Sequence, residues 1–378
     1  MKLKLFSEFG TLKKVLLLRP GPEIERLTPT NTSELLFEDV PYLEAMQLEH
    51  DEYSRLIKSS TDAKVYQVRQ LLVEILRDLN LKKAILEKVT NKVAIPGLCD
   101  EILSYYSTAE TVNLLIAGLT VQELKSKSKN FRPGDFKDNE YLIAPSPNFY
   151  FMRDPTAIVQ NGVILSNMKY SGRQNESAII NLILKNHPEF RDAYSQVFPS
   201  PSLAGKIPTI EGGDVMVVSK KVLAIGCSER TESAAIMEVA RQVLESGVVE
   251  RVYEVKLPQR RNYMHLDTVF SSIDENLVLT FSEAMGDIPE TYVFRGEPGP
   301  DGKFRLHKEQ ISESLISILK KEIKYLEIVE TGYGYPEVAS REQWYDGANV
   351  FAIGPRRVIS YDRNRLTNRA LRAAAPRR

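Results

Sequence analysis

The stretch IEGGDVMVVSKKVLAIGCSERTE, residues 210–232, carries the pattern that decides the fold. Two apolar runs flank Lys220 and Lys221, which predicts two β-strands joined by a hairpin turn. Glu211 and Asp214 enclose two glycines directly before the first of these strands. Glycine permits close approach of a backbone or a ligand. A carboxylate at this position is therefore either a satisfied turn residue or part of a site.

Composition and charge indicate an ordinary globular protein. The 378 residues include 50 Lys+Arg and 50 Asp+Glu, so the net charge does not indicate binding to nucleic acid or to a membrane. No apolar run is long enough for a membrane helix, and the start lacks a long apolar signal core. The two cysteines, Cys99 and Cys227, suit a reducing cytoplasm, so we expect a cytoplasmic protein without a disulfide framework. Widely spaced histidines argue against a metal site.

The hairpin pattern is repeated along the chain. Each copy has an acid, a short apolar strand, a polar turn and a second apolar strand, and the copies begin at Asp154, Asp214, Asp267 and Asp346. An arginine follows three of them, namely Arg173, Arg230 and Arg363. Residues 9–20, FGTLKKVLLLRP, read as a fifth, degenerate copy. Helical patterns at 232–246 and 311–326 lead to further strands at 249–255 and 326–330.

This repeated hairpin–helix–strand unit predicts an α/β protein built from modules around a pseudo-symmetry axis. The alternative is a coincidence, because many α/β proteins contain hairpins preceded by an acid. Residues 68–130 interrupt the pattern with a predicted helical insertion, in which Ser107 with Glu110 and Thr120 with Glu123 form capping boxes. The basic, alanine-rich end, RALRAAAPRR, shows neither a strand nor a clear core pattern.

If the modules surround an axis, the carboxylates of Asp154, Glu211, Asp214 and Asp267 converge. Clustered carboxylates repel one another unless a cation lies among them. A metal ion is the less favoured filler, because the sequence lacks tightly spaced metal ligands. A planar guanidinium fits better, since two carboxylates can each bind it in a bidentate manner.

His265 lies two residues before Asp267, so both side chains share one face if this segment is a strand. Histidine exchanges protons near neutral pH, although a lone histidine is often only structural. Arg173 and Arg230 are either surface charges or members of salt bridges with Glu176 or Glu229, or they bind the carboxylate of a substrate. Carboxylates with arginines at the rim predict a small zwitterion with a cationic end, such as arginine.

These residues resemble the arginine deiminase family of guanidino-group-modifying enzymes. The resemblance extends over residues 9–371 and includes the motifs PNFYFMRDP, GRQNE, IEGGD, SERTE, MHLDT and QWYDGAN. It implies a five-bladed pseudo-symmetric α/β propeller over residues 1–378 with the helical bundle of residues 68–130 inserted. It also implies hydrolysis of L-arginine to L-citrulline and ammonia without a cofactor.

The resemblance also implies roles for individual residues. Asp154 and Asp267 would hold the guanidinium, and Glu211 and His265 would transfer protons. Gly212 and Gly213 would leave room for the substrate. The substrate-binding residues would be Asn148, Phe151, Arg173 and Arg230.

The family's nucleophile is a cysteine in a glycine-rich loop near the C-terminus, and this sequence ends before such a loop. Cys99 lies in the helical insertion and Cys227 in a strand, so neither replaces it by position, and we expect the chain as given to be inactive. The alternatives are a non-catalytic protein that binds arginine or a protein partner on the same fold, and a hydrolase that uses Glu211 and His265 on water. A homo-oligomer is compatible with the sequence, which does not fix the oligomeric state.

Overall fold

The computed structural model describes residues 2–91, 93–198, 207–285 and 290–374 of a mixed α/β protein. The chain divides into two compact units. One unit comprises residues 14–152 and 170–192, and the other comprises residues 1–13, 153–169 and 193–378. The predicted single catalytic domain and the subdomain bounds of 68–130 stay predictions.

The unit of residues 14–152 and 170–192 is mainly helical. Its elements are β1 (Lys14–Leu17), α1 (Leu43–Ser60), β2 (Lys64–Gln67), α2 (Val68–Ile75), α3 (Leu79–Thr90), α4 (Leu98–Tyr105), α5 (Thr108–Ala117), β3 (Leu119–Thr120), α6 (Val121–Lys127), β4 (Tyr141–Ile143) and α7 (Gln174–Asn186). Apolar side chains of α2, α3, α5 and α7 form one buried cluster. Both predicted capping boxes are present, at Ser107 with Glu110 and at Thr120 with Glu123, so the predicted starts of α5 and α6 are confirmed.

The segment FGTLKKVLLLRP differs from its predicted form. It contributes one strand, β1, which pairs in parallel with β2 and is not followed by a second hairpin strand. Its apolar run, residues 15–18, is long enough for one strand only, and Pro20 follows. The prediction of a fifth hairpin copy is therefore wrong.

The other unit contains the repeated modules. Its elements are β5 (Thr156–Val159), β6 (Gly162–Leu165), β7 (Gln196–Phe198), β8 (Val215–Ser219), β9 (Val222–Cys227), α8 (Ser233–Glu245), β10 (Arg251–Lys256), β11 (Phe270–Asp274), β12 (Leu277–Thr280), α9 (Ser282–Met285), β13 (Thr291–Pro298), β14 (Phe304–Ile311), α10 (Leu315–Glu322), β15 (Glu327–Glu330), α11 (Pro336–Trp344), β16 (Phe351–Gly354), β17 (Arg357–Ile359) and α12 (Arg365–Ala374).

All four predicted hairpins are confirmed as antiparallel strand pairs. They are β5 with β6, β8 with β9, β11 with β12, and β16 with β17. In the first three, the second hairpin strand also pairs in parallel with a later strand, namely β7, β10 or β15. Parallel pairing requires a crossover, which α8 provides between β9 and β10. In each of these three modules the first hairpin strand, which follows the leading acid, therefore lies at the edge of its sheet.

The helix predictions are confirmed in position but not always in length. Helix α8 covers the predicted segment 232–246, and its apolar stripe is buried. Helix α10 is shorter than the predicted 311–326, because β14 extends to Ile311 and Ser314 caps the helix start. The tail also differs, since α12 extends to Ala374 and packs Leu371 against a buried cluster, whereas residues 375–378 lie outside the described ones.

Among the described residues, none of the helices combines the length and the apolar character needed to span a membrane.

Candidate functional site

Two glycines let the Glu211 segment lie against neighbouring segments of its own unit. Gly212 and Gly213 form a short 3₁₀ turn that ends where β8 begins. A Cβ atom on Gly212 would overlap the carbonyl oxygen of Arg153, and a Cβ atom on Gly213 would lie 2.7 Å from the His265 ring. A larger residue at either position is therefore excluded by the protein itself. The space assigned to substrate in the sequence interpretation is taken by this carbonyl and this imidazole.

His265 joins carboxylates from two other modules. Its Nε2 atom lies 2.8 Å from Oε2 of Glu211, and its Nδ1 atom lies 3.6 Å from Oδ1 of Asp154. All three side chains are buried. One buried row thus contains the carboxylate of Asp154, the imidazole of His265 and the carboxylate of Glu211, each from a segment that precedes a different hairpin.

The charge state of His265 follows from this row. Burial alone would lower its pKa, but the negative charge of Asp154 and the hydrogen bond to Glu211 outweigh burial and raise the pKa to about 9. At neutral pH the ring is therefore an imidazolium with an N–H group towards each acid. Asp154, Glu211 and His265 could also hold a metal ion, since their ligand atoms lie within 4.8 Å of one another. A metal ion would require the neutral imidazole, which the two carboxylates disfavour.

Asp267 adds a carboxyl group that its surroundings do not stabilise as an anion. The pKa of Asp267 is raised to about 7, chiefly by burial and also by the charge of Asp154, although His265 and Arg153 act in the opposite direction. The pKa of Asp346, the leading acid of the fourth module, is raised to about 6 by burial, and Asp154 contributes to this shift. Such an arrangement gains free energy when a cationic group enters, because both acids can then ionise.

Asp214 holds the segments that carry the other site residues. Its Oδ1 atom accepts a hydrogen bond from the backbone N–H of Leu266 at 2.9 Å, directly after His265. Its Oδ2 atom accepts from the Ser228 hydroxyl at 2.7 Å. Burial raises the pKa of Asp214 to about 6 despite these donors. Asp214 therefore acts by positioning the His265 and Ser228 segments.

Arg230 is buried beside the proposed proton-transferring acid. Its Nη1 atom lies 3.4 Å from Oε2 of Glu211, and its Nε atom lies 3.4 Å from Oε1 of Glu229. Glu211 also accepts a hydrogen bond from the backbone N–H of Lys169 at 3.0 Å. Arg230 is 1% exposed, so the interpretation of Arg230 as a solvated surface charge does not apply.

Arg153 is a neighbour of the site that the sequence interpretation missed. Its guanidinium pairs with Glu8 at 2.8 Å, and its Nε atom donates to the carbonyl oxygen of Gly212 at 3.0 Å. Glu8 in turn accepts a hydrogen bond from the backbone N–H of Val217 at 2.8 Å. The position of Arg153 directly before Asp154 in the motif MRDP was the signal that could have identified it.

The other proposed substrate-binding residues belong to the helical unit, where they have partners of their own. Arg173 is buried and forms an ion pair with Glu176 at 2.8 Å, and it donates to the carbonyl oxygen of Asn148 at 3.3 Å. Asn148 donates from its side chain to the carbonyl oxygen of Leu35 at 2.7 Å. Phe151 is 42% exposed. The structure therefore brings Asn148 and Arg173 together.

The thiols of both cysteines contact groups other than Asp154, Glu211 and His265. The Cys227 side chain packs in the cluster formed by α8 and its neighbouring strands, where its Sγ atom accepts a hydrogen bond from Lys256 Nζ at 3.2 Å. Cys99 lies in α4 of the helical unit, and its Sγ atom is 3.8 Å from the carbonyl oxygen of Lys83. Burial raises the pKa of both thiols, which makes each a weak nucleophile at neutral pH.

Known proteins resemble this chain over almost its full length. The family model for arginine deiminase matches residues 33–375. An arginine deiminase of Limosilactobacillus reuteri is 35% identical over 373 residues, which cover 97% of this chain and 90% of that protein. An arginine deiminase of Latilactobacillus sakei is 35% identical over 378 residues, with the same two coverages.

A solved structure shows the same fold at low sequence identity. The amidinotransferase SxtG of Microseira wollei superimposes with a TM-score of 0.54 and 15% identity, covering 98% of this chain and 88% of that protein. At this identity the likeness concerns the fold alone. The family match, by contrast, rests on sequence, and the chain belongs to the arginine deiminase family.

Proposed function

We propose that this protein hydrolyses the guanidinium group of L-arginine to give L-citrulline and ammonia. The observation that carries the proposal is the buried row in which His265 joins Glu211 and Asp154, together with Asp267, whose pKa is raised to about 7. A planar guanidinium fits such a cluster of acids, because two carboxylates can each bind it in a bidentate manner. The names of the relatives support the same substrate.

Asp154 and Asp267 are the proposed holders of the guanidinium. Each carboxylate can accept two parallel hydrogen bonds from the planar group, which fixes its orientation for attack on the central carbon. The positive charge would also lower the pKa of Asp267 and favour the anion in the occupied site. Binding of the guanidinium and ionisation of Asp267 are thus coupled.

Glu211 and His265 are the proposed proton-transferring pair. The imidazolium of His265 can donate a proton to the departing ammonia, and its neutral form can then accept a proton from the water that completes hydrolysis. Glu211 faces Nε2 at 2.8 Å and stabilises the protonated ring between these steps. Arg230 lies on the other side of this carboxylate, with Nη1 3.4 Å from Oε2 of Glu211.

The remaining roles follow the resemblance to the family. We carry over Asn148 and Phe151 as residues that contact the substrate, and Arg173 and Arg230 as residues that bind its carboxylate. The five-bladed propeller, with residues 68–130 as an insertion, is the proposed architecture, and each of the four hairpin modules is proposed to form one of its blades. Cytoplasmic location stays the prediction made from the two cysteines.

The attacking group in this family is a cysteine, and the two cysteines of this sequence do not fit that role. The Cys227 thiol faces Lys256, and Cys99 belongs to the other unit. We therefore expect a polypeptide of these 378 residues to bind arginine without releasing citrulline. An added C-terminal segment with the family's cysteine loop is expected to release it.

Isothermal titration calorimetry with L-arginine tests the binding step, and a colorimetric citrulline assay tests hydrolysis. Asp154→Asn removes one charge of a buried pair and is expected to weaken binding by roughly 30-fold or more, since such losses cost about 2–5 kcal/mol. L-Citrulline, which lacks the cationic group, is the matched control ligand and is expected to bind weakly.

Three results would contradict parts of this proposal. If arginine fails to bind, or binds no better than citrulline, the substrate is wrong. If the 378-residue polypeptide releases citrulline efficiently, the argument about its cysteines is wrong. If turnover of the extended polypeptide leaves no thiol adduct in acid-quench mass spectrometry, water attacks directly and the covalent route is wrong.

A further inference from the structure

Away from the proposed site, the parallel strands β9 and β10 end in an unusual pair of side chains. Cys227 and Lys256 are direct partners in the strand register, so their side chains lie on the same face of the sheet. Lys256 Nζ is 3.2 Å from Cys227 Sγ. A thiol and a primary amine are therefore held in contact by backbone pairing.

A carboxylate completes the group. Glu254, two residues before Lys256 on the same strand, is fully buried. Its Oε2 atom accepts a hydrogen bond from Lys308 at 2.7 Å. Its Oε1 atom lies 2.9 Å from Lys256 Nζ without forming an aligned hydrogen bond to it. One oxygen of a buried acid thus lies next to the amine, where it can take up the proton that the amine loses when a bond to nitrogen forms.

The three side chains have no part in the proposed arginine chemistry. The hydrogen-bonded row contains Glu211, His265 and Asp154, and Cys227 instead packs with apolar side chains. A purely structural role would be met by a lysine that neutralises Glu254. It would not require a thiol as the register partner of that lysine.

We propose that Cys227 and Lys256 form an oxygen-bridged covalent cross-link, Cys–S–O–NH–Lys, under oxidising conditions. The contact at 3.2 Å leaves a gap that a single oxygen atom spans after a small closing movement. Strands β9 and β10 pair with each other along their whole length, so the strands need not separate.

The reaction balances with dioxygen as the oxidant. One thiol, one lysine ammonium, one carboxylate and one O₂ give the S–O–NH bridge, one carboxylic acid and one water. The S–H bond and two N–H bonds are broken, and one S–O bond and one N–O bond form. Sulfur and nitrogen each give up two electrons, and O₂ accepts all four. Glu254 takes the ammonium proton, and the other two hydrogens leave in water.

The amine of the pair is open to solvent, and the thiol is largely covered. The Lys256 side chain is 30% exposed, whereas Cys227 is 9% exposed, so a small oxidant such as dioxygen is the reagent that suits the pair. An ordinary sulfenic acid at this position would meet the amine before a second thiol. A disulfide between Cys227 and Cys99 is the competing oxidation product.

Intact-mass spectrometry of the full chain after aerobic incubation tests the proposal. The bridge adds one oxygen and removes two hydrogens, a gain of about 14 Da, and dithiothreitol returns the original mass. Peptide mapping is expected to recover residues 227 and 256 in one cross-linked species. The apparent melting temperature is expected to rise by a few degrees on oxidation, because a link between adjacent strands restricts the unfolded chain.

Matched variants make the test specific. Lys256→Arg keeps the positive charge beside Glu254 but removes the primary amine, and Cys227→Ser removes the thiol. Both are expected to lose the gain in mass and the rise in melting temperature, whereas Cys99→Ser is expected to keep both. Circular dichroism establishes that each variant is folded before oxidation.

Other oxidation products would overturn the proposal. A loss of two hydrogens alone would mean a direct sulfur–nitrogen bond. Gains of one, two or three oxygens without cross-linked peptides would mean ordinary thiol oxidation. An unchanged mass of the folded wild-type protein under air would mean that the contact is structural.

Discussion

The affinity for arginine is expected to fall as the pH is lowered, because the empty site holds a proton that a cationic ligand must displace. Asp267 has a pKa of about 7 in the empty site, chiefly because it is buried, and the negative charge of Asp154 adds to the shift. A guanidinium beside this carboxyl favours the ionised form. Binding at a pH below 7 therefore releases a proton.

The sign and size of the effect follow from this shift. Because the free protein holds the proton and the complex does not, affinity rises with pH and levels off above the pKa of the free site. Each pH unit below 7 weakens binding about tenfold, or about 1.4 kcal/mol. His265, with a pKa of about 9, acts in the same direction because a nearby cation lowers its pKa. The affinity for arginine is therefore expected to keep rising above neutral pH, but less steeply than below it.

Isothermal titration calorimetry in two buffers with different ionisation enthalpies measures both the affinity for arginine and the number of protons released on binding. At about pH 6 we expect close to one proton released per arginine bound, with about tenfold weaker binding than at about pH 8. Asp267→Asn is the matched control, since it keeps the size of the side chain but cannot ionise. It is expected to bind weakly at high pH and to lose the step near pH 7.

A flat affinity between about pH 5.5 and pH 8, without proton release, would refute this reasoning. It would mean either that Asp267 is already ionised in the empty site or that it does not contact the guanidinium. Retention of the pH step in Asp267→Asn would assign the step to another group, such as Asp346 or Asp214, whose pKa values are both about 6.

Three further changes have defined outcomes. Gly213→Ala puts a Cβ atom 2.7 Å from the His265 ring, and we expect a loss of about 1–3 kcal/mol in urea unfolding together with loss of arginine binding. Ser107→Ala removes the cap that Ser107 shares with Glu110, and we expect a loss of about 1 kcal/mol in the same unfolding assay with unchanged arginine affinity. Cys227→Ala is expected to leave arginine affinity unchanged in calorimetry, and a large loss would contradict the assignment of its thiol to the Lys256 side of the sheet.

The hairpin modules were predictable because strand and turn signals are local. Alternating or continuous apolar runs around short polar turns correctly located all four strand pairs. The repeated position of an acid before each hairpin also indicated that Asp154 and Glu211 would approach the His265 segment. The capping boxes were equally local, since a serine or threonine and a glutamate three residues later define them.

The features that sequence reasoning missed depend on distant contacts. Nothing near Arg153 indicates that its partner is Glu8, which lies 145 residues earlier in the sequence. The reason for Gly212 and Gly213 was also misjudged, because the groups that exclude a side chain come from residues 153 and 265. The helix at Arg365–Ala374 was missed because its alanine-rich stripe is weakly apolar and is stabilised by packing on a neighbouring cluster.

The ion pair of Glu8 with Arg153 makes a residue far from the hairpin modules in sequence part of the support of the candidate site. Glu8 holds both the guanidinium next to Asp154 and the backbone of Val217. Expression vectors that omit this glutamate would release both groups at once. A purification tag is therefore better added ahead of the segment that carries Glu8 than put in its place.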